Sequence, residues 1–410
     1  MFFLYLLGDI KNKKEVCFIM KKATKKILSI FMCAVLAASM LVGCGESGGN
    51  SSGGSADSGS SGDKIKIGVS IWSSTDSLGS QCKKIIDQAA AALGDVEVQY
   101  VDQGHVSEKV TASVETLAAA GCQGIIICNS ADSEMTSAIN TCNDNGVYLA
   151  QFFRIISEQN SPDIYELAKA SEYYVGAVHE NEPDNGEKLG KILLDRGCRK
   201  IGMIGWEQGD ATWLGRWEGY QKAVDDWNAA NPDDQAELTE PQYAGTTSDG
   251  GSKAAEALMS ANADLDALVP AGGGGEPLEG TLSAVERAGK VGDIKVVSTD
   301  FRDDLETRLK DGSITAESGG HYCDPLFAFM MVYNAVKGNY KDFAGNFNEI
   351  LYPYLFVDSP EAYADYDKYF VQQSPYTDDE LKELAGLDFA ALSEKAAALS
   401  IEDAKARSGK

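Results

Sequence analysis

The run Gly121-Cys122-Gln123-Gly124-Ile125-Ile126-Ile127-Cys128-Asn129-Ser130-Ala131-Asp132-Ser133 decides the architecture. Gly124–Cys128 is apolar at consecutive positions rather than alternating ones. A strand buried on both faces reads this way, as in a parallel sheet covered by helices on either side. Asp132-Ser133 then stands where a helix N-cap belongs. A helical pattern follows to Asn145, and Gly146 sits just past its end.

The same strand-loop-helix step recurs along the chain. Strands are expected at Ile65–Ile71, Val96–Val101, Val147–Phe153, Tyr173–Val178, Lys200–Gly205, Ala267–Pro270 and Ile294–Thr299. Helical patterns lie between them, at Leu78–Leu93, Val106–Ala120, Asn185–Arg196, Trp213–Ala230, Gly251–Ala261, Glu276–Ala288 and Asp303–Lys310. The alternation predicts an α/β protein with doubly wound parallel sheets. The folded part, from about Lys64 to Lys410, is long for one core and suits two lobes. Beyond it, Asn346–Val357 is aromatic-rich and strand-like, and Ser359-Pro360 breaks it. Thr377 with Glu380 forms a capping box for a helix from Asp378, and Ala390–Leu399 reads as another helix. This helical and aromatic tail is expected as an appendage on the second lobe.

The front of the chain reads as an export signal. Lys21, Lys22, Lys25 and Lys26 precede the apolar run Ile27–Met40, which is short for a membrane span and suits a signal core. Leu41-Val42-Gly43-Cys44 closes it and resembles a bacterial lipobox, which implies that Cys44 is diacylated and becomes the mature N-terminus. Residues 1–43 are therefore expected as a signal peptide whose true start is Met20. Residues 44–63 are expected as the lipidated cysteine and a tether of mostly Gly, Ser and small polar residues. Such a tether reaches roughly 20–25 Å.

Charge narrows the partners. Removing residues 1–43 takes seven Lys and two acids from totals of 36 and 62, leaving 29 against 60 and a net charge near −31. Nucleic acid requires a basic surface, so it is excluded as a partner. Six cysteines remain beyond Cys44: Cys82, Cys122, Cys128, Cys142, Cys198 and Cys323, with no zinc or redox spacing. His105, His179 and His321 stand in unrelated places, so no metal centre is expected, and nothing calls for a cofactor.

Ligands of open parallel sheets bind beyond the carboxyl ends of the strands. Those ends carry Trp72 and Asp76, Asn129, Phe152-Phe153-Arg154, Gly205-Trp206 and Asp300. Aromatic faces cover the C–H side of a sugar ring, while planar Asp, Asn and Arg groups pair with hydroxyls. Phe152 and Phe153 alternate, so one alone points to a cleft. Trp213 and Trp217 are four apart and fit either the site or a core face. Arg154 fits a ligand or a structural acid. Gly272–Gly275 reads as a loop that lets a ligand or hinge come close rather than as a phosphate cradle. No nucleophile-base or acid-acid pair stands out, so an enzyme is not expected.

At these residues the chain resembles the ribose/galactose-type periplasmic binding proteins, the type I solute receptors of sugar ABC transporters. The resemblance runs from about Ile65 to Lys337. It is carried by Ile65-Lys66-Ile67-Gly68-Val69-Ser70, by the run quoted first, by Arg216-Trp217-Glu218-Gly219-Tyr220, by Val296-Val297-Ser298-Thr299-Asp300, and by Lys310-Asp311-Gly312 with Ile314-Thr315-Ala316. It implies two lobes joined by a hinge: residues 64–177 with 321–339, and 178–320 with 340–410. It also implies a sugar-like solute, an ABC permease as partner, and a monomer held at the outer face of the cell membrane by its lipid. Asp76, Asn129, Arg154 and Asp300 fall on family ligand positions. Phe153 stands where an Asp is common, Gly274 near an Asn, Gly320 or His321 near a Gln, and Leu214 where a second Arg is common. The implied site thus comprises Trp72, Asp76, Asn129, Phe153, Arg154, Trp206, Trp213, Asp300 and His321. A sensor that signals through a membrane receptor without transport is the alternative. A lac-repressor-type regulator shares this core, but a signal and tether occupy the place of its DNA-binding helices.

Overall fold

Strands β1 (Ile65–Ile71), β2 (Val96–Asp102), β3 (Gly124–Ile127), β4 (Tyr148–Phe152) and β5 (Tyr174–Glu180) pair in parallel in the computed structural model, which describes residues 64–409 except 273–275, 341–342 and 344. Strands β6 (Lys200–Gly205), β7 (Glu237–Leu238), β8 (Gln242–Tyr243), β9 (Ala267–Pro270), β10 (Lys295–Thr299) and β11 (Ala316–Gly319) form a second parallel sheet. The chain then returns. β12 (Glu349–Tyr352) joins the first sheet beside β5, and β13 (Leu355–Val357) joins the second, antiparallel to β11. The orders β12-β5-β4-β3-β1-β2 and β13-β11-β10-β9-β6-β7 make two α/β lobes. The expected export signal, Cys44 and tether lie outside the described residues, as do Gly273, Gly274 and Gly275. No helix among the described residues is long and apolar enough to cross a membrane.

β3 shows why the opening run is apolar throughout. Ile126 faces a core shared with the helix Asp324–Val336, while Ile125 and Ile127 face Val110, Val114, Met135 and Ile139 on the helices Ser107–Ala119 and Asp132–Asn145. Alternate residues point to opposite faces, and here both faces are covered. Gly124 is required by packing, since a Cβ there would lie 2.0 Å from Val332 Cγ1. The following helix begins one residue early, with Ala131 at its cap. The Glu134 carboxylate does the capping instead, accepting from Ser130 N at 2.8 Å and Ala131 N at 3.3 Å.

The chain passes between the sheets three times. β5 stays in the first sheet through Glu180, and the helix Glu182–Asp195 packs on β10 and β11. The return runs from β11 through the turn His321–Cys323 into the helix Asp324–Val336, which is buried on nearly every side against β3, β4 and β5. Pro353-Tyr354 forms the third passage, between β12 and β13. The boundary expected after residue 177 therefore falls at Asn181, because β5 continues to pair with β4 and β12.

The tail corrects a second expectation. The sequence places residues 340–410 on the second lobe, but β12 carries the chain back to the first. The helix Asp378–Leu384 packs on Ser77–Leu93, where Gln88 Nε2 donates to Tyr376 O at 3.1 Å. The helix Phe389–Ala397 packs on β12. Of the tail helices, Pro360–Tyr366 reaches the second lobe, at β13 and Leu305–Asp311. Leu381, Leu384, Leu392, Ala396 and Leu399 share one core with Ile350 and Tyr352 of β12, and burying them there holds the tail on the first lobe.

Candidate functional site

A cavity of about 1070 Å³ lies where the carboxyl ends of both sheets meet. β1 delivers Trp72 and Asp76. The Asp76 carboxylate caps the helix Ser77–Leu93 by accepting from Gly79 N at 2.7 Å, and its other oxygen accepts from Trp72 Nε1 at 2.6 Å. Asp76 thus orients the indole as well as lining the cavity. His105, in the turn after β2, stacks on Trp72 with ring centroids 5.8 Å apart and planes 5° apart. β4 ends in Phe152, which is fully buried, and Phe153, which turns to the cavity against Trp72 and His321 at 5.7 and 5.3 Å. Arg154 follows. β6 delivers Trp206, whose Nε1 donates to Gly272 O at 3.0 Å, and β10 delivers Asp300.

Backbone strain gathers at this place. Among the described residues, the non-glycine residues with left-handed backbone are His105 at φ 53°, Phe153 at φ 57° and Asp300 at φ 76°. All three line the cavity. Such a conformation costs about 1 kcal/mol or more per residue and persists where surrounding structure imposes it, typically at ligand sites.

The second lobe supplies a buried ion pair. Arg216 Nε donates to Glu182 Oε2 at 2.6 Å and Nη2 to Glu182 Oε1 at 3.2 Å, while Nη1 donates to Ala271 O. Tyr354 accepts from Arg216 Nη2 at 3.1 Å and donates to Glu182 Oε1 at 3.0 Å. Two glycines permit this. A Cβ at Gly186 would lie 1.9 Å from Arg216 O, and one at Gly219 would lie 2.0 Å from Pro183 O. The helices Glu182–Asp195 and Ala211–Ala230 therefore touch backbone to backbone, and the arginine reaches across. Burial works against the Arg216 charge, but the Glu182 carboxylate outweighs it and holds the guanidinium pKa well above its usual value.

Burial lowers the pKa of both site histidines. For His105 the Arg154 charge adds to burial, and for His321 the Asp300 carboxylate opposes it. His321 Nε2 lies 3.5 Å from Asp300 Oδ1, and its buried Nδ1 has no hydrogen-bond partner among the described residues. Such neutral rings can donate or accept toward a bound molecule.

Of the residues named from sequence, Trp72, Asp76, Phe153, Arg154, Trp206, Asp300 and His321 line the cavity. Asn129 and Trp213 are not among its walls. Asn129 is 1 % exposed and spends its amide on neighbours, accepting from Gln151 Nε2 at 2.7 Å and donating to Ala131 O at 3.1 Å. Trp213 is fully buried in the second-lobe core against Gly205, where a Cβ would lie 2.7 Å from its Nε1. The pair Trp213 and Trp217 is a core face. Gly272 has φ 98° and a Cβ there would lie 2.8 Å from Thr299 O, so packing against β10 requires the glycine. Sequence reading missed the site positions of His105, Glu180, Glu182, Arg216, Arg302 and Tyr354. Glu180, Glu182 and Tyr354 lie at passages between lobes, which no local pattern marks. Arg216 follows no strand, and only Gly186 and Gly219 hint at the helix contact that aims it.

The profile of the family described as periplasmic binding protein domain matches residues 67–336. No curated protein matches the chain. Solved structures of similar fold include an ABC transporter solute-binding protein from Bacillus halodurans C-125 with bound myo-inositol, at 20% identity and TM-score 0.58, covering 76% of this chain and 99% of that one. A periplasmic solute-binding protein from Actinobacillus succinogenes 130z with bound D-allose has 14% identity and TM-score 0.60, with 73% and 100% covered. The binding component of an arabinose ABC transporter from Shewanella sp. ANA-3, bound to L-arabinofuranose, has 19% identity and TM-score 0.58, with 75% and 96% covered. At these identities the likeness speaks for the fold.

Proposed function

The chain belongs to the periplasmic binding protein family, a family of binding proteins rather than enzymes, and on that premise we propose that it captures a small sugar-like solute between its lobes and delivers it to an ABC permease. The cavity carries this reading. Aromatic faces of Trp72, Phe153 and Trp206 meet the planar polar groups of Arg154 and Asp300 across the carboxyl ends of two sheets. Capture would shift a hinge equilibrium at the three passages toward a closed form. Melting of the exported domain with a panel of monosaccharides, sugar acids and inositols tests it, together with mass spectrometry of solute retained on purification. At least one member should raise the melting temperature and compact the protein in scattering. Retention of a non-sugar solute, with no response to the panel, refutes the sugar reading.

Asp300 is assigned to the solute. Asp300→Asn keeps the shape and the tolerance for left-handed backbone while removing charge. It should weaken the solute identified by that panel about tenfold or more, since charged hydrogen bonds are worth roughly 1.5–3 kcal/mol. Unchanged affinity in calorimetric titration removes Asp300 from the site.

The lipobox assigns a covalent anchor to Cys44 and an extracytoplasmic place to the domain. Cys44→Ala should release the folded protein into the soluble fraction, because the anchor is separated from the domain by the tether. A variant that stays with membranes after signal cleavage refutes the anchor.

A further inference from the structure

We propose that the captured solute carries an anionic group, most simply the carboxylate of a sugar acid, and that Arg154 is its partner; this rests on the solute-capture reading. Three guanidinium groups line the cavity. Arg216 is neutralised by Glu182. Arg302 is neutralised by Asp304, at 2.8 Å from its Nε, and by Glu279. Arg154 makes no ion pair among the described residues, and its Nη1 donates to the neighbouring Phe153 carbonyl at 2.7 Å. Its side chain is exposed to the cavity, leaving the remaining N–H groups for what enters.

No carboxylate among the described residues lies in ion-pair contact with this cation, although the fields of its neighbours outweigh burial and raise its pKa. It shares the cavity with the aromatic cluster of Phe153, Trp72 and His105. The carboxyls whose fields reach it are Glu180, Glu182 and the buried Asp324, whose own pKa burial raises. Glu182 is committed to Arg216 and Tyr354. Burial pushes the Glu180 carboxyl up toward its neutral form. Asp76 and Asp210 are tied up as helix caps at Gly79 N and Trp213 N. When a solute displaces the water around Arg154, a dry guanidinium without a counter-charge is costly, whereas a carboxylate meets its planar fork with two parallel hydrogen bonds. The Asp300–His321 side then receives hydroxyls. The chain's acidity opposes the approach of an anion, so association should speed up as salt is added, the reverse of a steered encounter.

The experiment is calorimetric titration of the exported domain with matched pairs: glucose against glucuronate and gluconate, and galactose against galacturonate. At least one acid should bind about tenfold or more tightly than its neutral partner. Arg154→Gln should abolish that preference without changing the melting temperature, and Arg154→Lys should keep part of it. A neutral sugar that binds as tightly as its acid overturns the inference and leaves solute capture standing. No binding of any acid up to ~10 mM also overturns it, and failure of the neutral sugars as well counts against the sugar reading itself. An acid preference that survives Arg154→Gln overturns the role of Arg154.

Discussion

Arg216→Ala is expected to lower the stability of the domain by about 3–5 kcal/mol, because it strands a partner in a buried ion pair. The Arg216 side chain is 6 % exposed and that of Glu182 19 %. Truncation removes both guanidinium donors to Glu182, leaving it only the Tyr354 hydroxyl, and strips the Ala271 carbonyl and the Tyr354 hydroxyl of the guanidinium. The pair links the first passage between lobes, at Glu182, to the third, at Tyr354. The variant should therefore also open the hinge region to hydrogen exchange. Urea unfolding of Arg216→Ala, Glu182→Ala and the double variant checks this. The double variant should be more stable than the two single losses added together, since each single change already breaks the pair. A loss below about 1 kcal/mol in Arg216→Ala would show that cavity water rehydrates Glu182 at little cost.

Two buried acids are expected to cost stability as pH rises from about 4.5 to about 8, the window between the ordinary carboxyl value and their folded value, against an opposing gain from His105 and His321, whose pKa burial lowers. Burial pushes Glu180, at the end of β5, up to about 8, and the Glu182 charge adds to it. Glu317, in β11, is pushed up to about 8 by burial against the opposing pull of Arg302 N, which donates to its Oε2 at 3.1 Å. Asp324, beside Glu180, is raised by the same burial. Glu180 shares a carboxyl hydrogen bond with Asp324, and Glu317 Oε1 has no partner among the described residues. The folded state thus keeps protons that the unfolded chain gives up. The stabilising contribution is complete below about 4.5, is lost progressively toward 8 and changes no further above that. Each group is worth on the order of a few kcal/mol across the window. Melting profiles of Glu180→Gln and Glu317→Gln should be flatter than that of the parent between those limits. A variant profile parallel to the parent's would show that the group is already ionised in the folded protein.

Period and punctuation made the strands legible. Ile125-Ile126-Ile127 cannot be half exposed, so a two-faced parallel strand is the reading that buries them. The same logic placed β1, β6, β9 and β10. The rule that ligands sit beyond strand carboxyl ends then found Trp72, Phe153, Arg154, Trp206 and Asp300 without any contact being known. It failed at Asn129, which follows a strand but is consumed by Gln151 and its own loop. It failed at Trp213 as well, which opens a helix near the site but turns inward. Strand position says where a residue starts, and neighbours decide where its side chain ends.

What the amino-acid order determined is therefore local: the alternation of buried strands and helices, the caps and stops at Gly146 and Thr377, and the residues offered at each strand end. These follow from hydrogen bonding and burial within a few residues. The tertiary structure alone decided three other things. It returned β12 to the first sheet, so the tail packs there. It brought Glu182, Arg216 and Tyr354 together from distant parts of the chain through glycine-lined helix contacts. It left Arg154 without an ion pair among the described residues, while Arg216 and Arg302 found carboxylates. The reason is common to all three: ion pairing and helix docking depend on distances through space, which the order of residues along the chain does not carry.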